Sequence, residues 1–334
     1  MSILCEIENL CVTYFGDKDV KAIEDLNLTI ERGEIVGLAG ESGCGKSTLV
    51  KALTRLLENG QVSGGKILFQ GKDLTRANNE EFRQLRWTNI SLVTQSAMSA
   101  LNPVLTIGEQ LVDGMQAHTS MSKFEMQKRA EELLRLVEVD PARVKSFPHE
   151  LSGGMRQRVM IAMALALSPD LIIMDEPTTA LDVVVQKQII RKIKEVQAQF
   201  GFSVLFITHD MSLLLAIADR IAIMYAGKIV ELGTAQEIRN HPAQPYTQGL
   251  LNSFPSVFEK RELMGIPGSP PSMVSPPGGC RFHPRCGSAM DICRTRIPET
   301  TKLSETHFAS CHLLGDGMVS QVSPRDGRGG KPDE

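Results

Sequence analysis

Apolar and polar positions alternate along the first part of the chain, with Leu4, Ile7, Leu10 and Val12 followed by Leu26, Leu28 and Ile30. A period near two predicts half-buried strands, because successive side chains of a strand point to opposite faces. From residue 35 the pattern changes. Ile35-Val36-Gly37-Leu38-Ala39 is an unbroken apolar run, and Ile90 to Val93, Leu171 to Met174 and Val204 to Ile207 are runs of the same kind. Short runs without alternation predict strands buried on both faces, as in a parallel sheet. Helical periodicity stands between them, from Lys46 to about Leu57 and, more amphipathic, from Phe124 to Val139. The last apolar run is followed by Arg220 to Tyr225, then Ala226-Gly227, then Lys228 to Leu232, which reads as a hairpin. The whole predicts an α/β fold: a mixed sheet core, an N-terminal antiparallel β subdomain and a helical subdomain at about 96–160.

Beyond Gly233 the composition shifts. Pro267 to Gly279 is rich in Pro, Gly and Ser and reads as an extended linker. The expected division is a main domain over 1–255, a Pro-rich and Cys-rich C-terminal module over 256–314 with a regulatory or metal-binding role, and a polar, disordered tail over 315–334.

Composition narrows the function. The chain has 334 residues, of which 42% are hydrophobic and 22% charged, with a net charge of −3. Its pI of about 6.2 is not the basic footprint of a nucleic-acid binder. The best apolar stretch, Val159 to Leu167, is followed by Ser168-Pro169 and falls short of the roughly 20 residues a membrane span needs. The opening MSILCEIENL lacks the basic start of a signal peptide. A cytoplasmic chain is therefore expected, where disulfides are disfavoured and the seven cysteines need another account.

The clearest chemistry lies at Gly40-Glu41-Ser42-Gly43-Cys44-Gly45-Lys46-Ser47, followed by Thr48. It fits G-x-x-x-x-G-K-[ST] between a predicted strand and a predicted helix. Glycines let backbone N–H groups turn inward on phosphate oxygens, and the helix start adds its positive dipole end. Lys46 is placed to neutralise β- and γ-phosphates of ATP, and Ser47 to ligate Mg²⁺. The run ending in Met174 continues with Asp175-Glu176. Asp175 in that position helps hold Mg²⁺, and Glu176 can deprotonate the attacking water if the chain turns there, as Pro177 favours. His209 follows another strand, where it could meet the γ-phosphate or the water, and Gln95 ends a third, within reach of Mg²⁺ or the water. Tyr14, with Phe15 as substitute, could stack on adenine.

Cys280, Cys286, Cys293 and Cys311 give the spacing C-x5-C-x6-C-x17-C. Clustered cysteines in a cytosolic segment point to a metal, but not to a common zinc knuckle with its closer pairs. Four thiolates suit a [4Fe–4S] cluster equally well.

Leu151-Ser152-Gly153-Gly154-Met155-Arg156-Gln157-Arg158 closely resembles the LSGGQ signature of ABC ATPases, with Met155 in place of the usual Gln and Gln157 two positions later. A Ser followed by two glycines at a helix start can present donors to an anion, and Ser is also a good helix cap. The resemblance extends over about residues 4–314. It implies a P-loop NTPase in which Gln95 is the Q-loop residue, Asp175 and Glu176 the Walker B pair, Ala180-Leu181-Asp182 the D-loop and His209 the switch histidine. It also implies a head-to-tail dimer, in which Ser152, Gly153, Gly154 and Gln157 face ATP held by a second, related or identical ATPase subunit.

Three further stretches resemble the oligopeptide/dipeptide/nickel importers: Ser99-Ala100-Leu101-Asn102-Pro103 shortly after Gln95, His241-Pro242 with Pro245-Tyr246-Thr247 and Leu250-Leu251, and IPGSPPSMVSPPGGCRFHPRC. That resemblance implies a transport-coupled ATPase peripheral to the cytoplasmic face of the inner membrane. Its partners would be two integral membrane permeases and, through them, an external substrate-binding protein, with no nucleic acid. Peptides are the expected cargo, with nickel or oligosaccharides as alternatives; a soluble ATPase acting on nucleic acid is the competing class. In several such importers a matching cysteine pattern holds an iron–sulfur cluster, so a [4Fe–4S] cluster is expected here and zinc is the alternative.

Overall fold

The computed structural model describes residues 2–95, 100–178, 181–253 and 265–315. The expected boundary at residue 255, the residues Ser99 and Ala180, and the tail from residue 316 lie outside the described residues.

Two sheets form. The N-terminal one is antiparallel, in the order β2 (Val20–Glu31), β1 (Ile3–Tyr14), β4 (Gly60–Phe69) and β5 (Lys72–Asp73). Its first two strands are those the alternation predicts. β4 carries little apolar alternation before Ile67, yet it pairs along β1 from Cys5↔Phe69 to Tyr14↔Gly60. The larger sheet runs through β6 (Ile90–Val93), β7 (Leu171–Asp175), β8 (Ser203–Ile207), β3 (Ile35–Ala39), β9 (Arg220–Tyr225) and β10 (Lys228–Thr234). The pairs from β6 to β9 are parallel and the β9–β10 hairpin is antiparallel.

The unbroken apolar runs are explained by burial on both faces. Val36, Leu38, Leu205 and Ile207 face a core shared with β1, β2 and the helix α1 (Lys46–Thr54). Their neighbours Ile35, Ala39, Val204 and Phe206 face a second core. Helices α3 (Ile107–Gln116), α4 (Lys123–Leu136), α5 (Gly153–Ala164), α6 (Val183–Phe200) and α7 (Met211–Ile217) supply that core; α2 (Asn79–Leu85) precedes β6. α4 starts at a reciprocal cap, with Ser122 accepting from Glu125 N and Glu125 from Ser122 N. α1 ends three residues before the expected Leu57, because Arg55 adopts a left-handed conformation (φ 53°).

The C-terminal region is fastened to this frame. After α8 (Ala235–Asn240) and α9 (Pro245–Asn252), the short strands β11 (Thr300–Lys302) and β12 (Phe308–Ser310) form a hairpin whose β12 pairs with β10 through Glu231↔Ala309 and Leu232↔Phe308. Strands of three residues leave no periodic trace in a sequence, so this extension of the main sheet was not expected. Beside it His307 Nε2 lies 2.8 Å from Glu231 Oε1, with both side chains buried. Among the described residues no helix is long and apolar enough to cross a membrane.

Candidate functional site

The ends of β3, β6, β7 and β8 open onto one cleft of about 800 Å³. Parallel sheets bind ligands beyond the carboxyl ends of their strands, where the connecting loops splay apart. The loop from Gly40 to Ser47 forms its floor, and Tyr14, Gln95, Glu176 and His209 line its sides.

Two of the loop's glycines are required by close packing. Gly40 (φ 155°) and Gly45 (φ 111°) occupy left-handed space, and a Cβ would stand 2.2 Å from Met224 O at the first and 2.7 Å from Ala22 O at the second. Lys46 is 7% exposed, and its Nζ donates to Gly40 O at 2.6 Å and Glu41 O at 3.0 Å. Ser42, Gly43, Ser47 and Thr48 face the cleft with them. Cys44 does not: it is buried at 4% exposure, with its Sγ 3.7 Å from Lys46 Nζ. Burial pushes its thiol pKa up against the pull of Lys46.

Glu176 stands where two strands meet. Its N–H donates to Ile207 O of the neighbouring strand at 2.8 Å, and its own φ is +48°. That left-handed residue is the turn the Asp175-Glu176 pair required, since it breaks the strand alternation between the two carboxylates. Gln95 Nε2 donates to Glu176 Oε2 at 2.8 Å, and His209 Nδ1 lies 3.2 Å from Glu176 Oε1. Asp175 is half-buried. Its pKa is raised by burial and by the adjacent Glu176 charge, against the lowering effect of Lys46. A carboxylate so placed gains from a divalent cation, and the available donors, Ser47 hydroxyl, Asp175 carboxylate and Gln95 amide, are the hard oxygen ligands that Mg²⁺ takes.

The signature segment lies elsewhere. Ser152 caps α5, accepting from Met155 N at 3.3 Å, and Asp182 caps α6, accepting from Val184 N and Val185 N at 3.1 and 3.0 Å. Gly154 lets these helices approach: a Cβ there would stand 2.8 Å from Val185 Cγ1. Among the described residues lining the cleft, none is from Ser152–Gly154 or Asp182. Gln157 is 3% exposed, and its Nε2 has no hydrogen-bond partner among the described residues. The side chain is therefore withdrawn into the packing around α5.

A model of the ABC transporter family matches residues 23–179, and one for the oligopeptide/dipeptide transporter C-terminal region matches residues 230–293. The dipeptide transport ATP-binding protein DppD of Caldanaerobacter subterraneus is 41% identical over 95% of this chain and 99% of its own. The chain belongs to the ABC transporter ATPases. The oligopeptide transport ATP-binding protein OppD of Salmonella typhimurium is 43% identical over 89% of this chain and 90% of its own. A dimeric, post-hydrolysis structure of the ATP-binding cassette MJ0796 with ADP and Pi matches with a TM-score of 0.63 at 30% identity, over 70% of this chain and 99% of that one. The C-terminal-region match covers parts of this ABC ATPase that lie beyond the ABC transporter match.

Those parts touch the ATP site through Tyr246 and Arg285, which lie within two of the importer-like stretches of the sequence. Tyr246 Oη accepts from Glu41 N at 2.9 Å, and Arg285 pairs with the Glu41 carboxylate at 2.5 and 2.9 Å. Tyr225, Tyr246 and Phe282 pack edge-on or tilted against one another with ring centroids 4.6 to 5.3 Å apart. Glu41 and Arg285 lie 244 residues apart in sequence, so no local signal links them.

The cysteine segment departs from expectation. Among the described residues no three His, Cys, Asp or Glu side chains stand close enough to share a metal ion, so the expected metal site is not assembled in this arrangement. Cys311 is pushed up to about 11, first by burial and then by the charges of Cys280, Cys286 and Cys293.

Proposed function

We propose that this ABC ATPase drives peptide uptake, on the strength of its match to the oligopeptide/dipeptide C-terminal region and of relatives whose names specify dipeptide and oligopeptide transport. The observation carrying the catalytic reading is the convergence of Gln95, Glu176 and His209 beside the phosphate loop. Loop N–H groups and Lys46 hold the β- and γ-phosphates of ATP, and Tyr14 stacks on the base. Ser47, Asp175 and Gln95 are the residues that would hold Mg²⁺, which when bound offsets the negative charge of those phosphates. Glu176 takes a proton from water as the water oxygen bonds to the γ-phosphorus and the bond to the β,γ-bridging oxygen breaks, leaving ADP and phosphate. His209 and Gln95 orient Glu176 and the water.

Ser152, Gly153 and Gly154 close on ATP held by a second ATPase subunit, and Asp182 sits at the same junction. Gln157, being buried, is left out of that set. Two membrane permeases and an external binding protein complete the importer, with the ATPase peripheral to the cytoplasmic face of the inner membrane. For the C-terminal module, four cysteines at the spacing C-x5-C-x6-C-x17-C support a [4Fe–4S] cluster ahead of zinc, which would need them drawn closer than they stand here; iron and sulfide content of anaerobically purified protein tests this, and a sample with zinc or with no metal overturns it.

The transport reading is tested by purifying the tagged chain from detergent-solubilised membranes and by measuring labelled dipeptide uptake in cells lacking it. Co-purified permeases and lost uptake are expected. Co-purified nucleic acid with unchanged uptake would overturn it.

A further inference from the structure

The segment from Ile266 to Met273 runs along the ATP cleft rather than away from it. Ile266, Pro270 and Met273 line the same cleft as Tyr14, Val20 and Ala22. Close contacts locate the two ends of this strap. Ile266 Cγ1 lies 2.8 Å from the place a Cβ would take on Gly249 in α9. Met273 Cε lies 3.0 Å from the corresponding place on Gly227, which is itself 2.9 Å from Ala22 O. The strap therefore bridges α9 and the turn at Gly227, which packs beside Ala22 of β2.

One side chain fastens this strap to the phosphate loop. Arg285 has a side chain 5% exposed. Its Nε donates to Pro267 O at 2.8 Å and its Nη2 to Gly268 O at 3.3 Å. The same guanidinium makes the two-pronged pair with Glu41 and lies over the Tyr225 ring at 5.9 Å. A planar fork of donors suits such a junction, and lysine, with its single ammonium, cannot reproduce it. Arg281 secures the next turn of the module, pairing with Glu24 at 2.5 Å.

We propose that the strap is a second wall of the nucleotide site, with Met273, Pro270 and Ile266 packing on the base and ribose of ATP across from Tyr14, and that Arg285 is the residue positioning this wall. The inference rests on the ATPase reading above and assigns to the C-terminal region a direct part in nucleotide recognition. The chemistry is apolar contact with a planar heterocycle, and it is separate from the grip of the phosphate loop on the triphosphate. Inorganic tripolyphosphate has the phosphates without the base, so it distinguishes the two.

The experiment measures binding of Mg²⁺-ATP and of Mg²⁺-tripolyphosphate to the full chain by calorimetry. Met273→Ala is expected to weaken ATP about five-fold or more and to leave tripolyphosphate within two-fold, with Met273→Leu restoring most of the loss. Arg285→Ala is expected to raise the KM for ATP about ten-fold with kcat within about three-fold, and Arg285→Lys to restore little. Unchanged ATP affinity in Met273→Ala, or equal weakening of both ligands, overturns the wall. A fall in kcat without a rise in KM in Arg285→Ala overturns the positioning role. If the wild-type chain binds neither ligand, the ATPase reading itself fails, and that result is distinct from both.

Discussion

Gln95 Nε2 donates to Glu176 Oε2 across 2.8 Å, joining the end of β6 to the end of β7. With His209 on the other carboxylate oxygen, Glu176 is held from two neighbouring strand ends. A residue so placed is coupled through Gln95 to the chain that follows β6.

Glu176→Gln keeps the shape of the side chain and removes the base. Turnover should fall by about 10²–10⁴ with ATP binding retained, as loss of a general base does. Steady-state phosphate release beside ATP titration checks this, and full turnover in the variant would remove Glu176 from its role.

Cys44 sits inside the phosphate loop, yet it is buried and its thiol pKa is raised by that burial. It should be protonated at neutral pH and slow to alkylate in the folded protein, because the thiolate is the reactive form. Peptide mapping after brief iodoacetamide treatment should find Cys44 unmodified until denaturant is added. Rapid native labelling would contradict the observed packing.

Glu231 is 1% exposed and serves three partners at once: His307 Nε2, Ala243 N at 2.8 Å and Gln244 N at 3.0 Å. Glu231→Ala strands those groups and should cost about 1–3 kcal/mol, the range for leaving a buried hydrogen-bonding group unsatisfied. Urea unfolding measures the loss. A change below about 1 kcal/mol would mean that the β12 edge is held by other contacts.

Glu237 ties the turn between β11 and β12 to α8. Burial alone would raise its pKa, but hydrogen bonds from Ser304, Thr234 and Thr306 outweigh that effect and hold it at about 2, below the ordinary 4.5. A lowered folded-state pKa stabilises above the unfolded value and is lost as the carboxylate protonates. The contribution is therefore whole above pH 4.5 and fades as pH falls toward about 2. Glu237→Gln should be less stable than the wild type at neutral pH, with the gap closing through that window. A gap independent of pH, followed by urea midpoints, would rule out the ionised carboxylate as its source.

Much of the frame could be read before any coordinates, for reasons visible in particular residues. Ile35–Ala39, Leu171–Asp175 and Ser203–Ile207 lie in a layer covered on both faces, so nearly every position had to be apolar and the runs stood out. β4 and the β11–β12 hairpin did not stand out, because few of their positions are buried and polar residues are tolerated along them. Gln157 shows the limit of motif transfer: its place in the pattern suggested exposure, and helix packing buried it.

The linear chain by itself determined the phosphate loop, the strand-end carboxylates and the alternation of buried strands with helices, since each depends on chemistry within a few neighbouring residues. Only the tertiary structure decided that Gln95 and His209 share Glu176, that Cys44 is buried, and that Arg285 grips Glu41 from 244 positions away. Contacts of that span follow from how layers stack and where a returning segment docks, and no periodicity in the sequence encodes that distance.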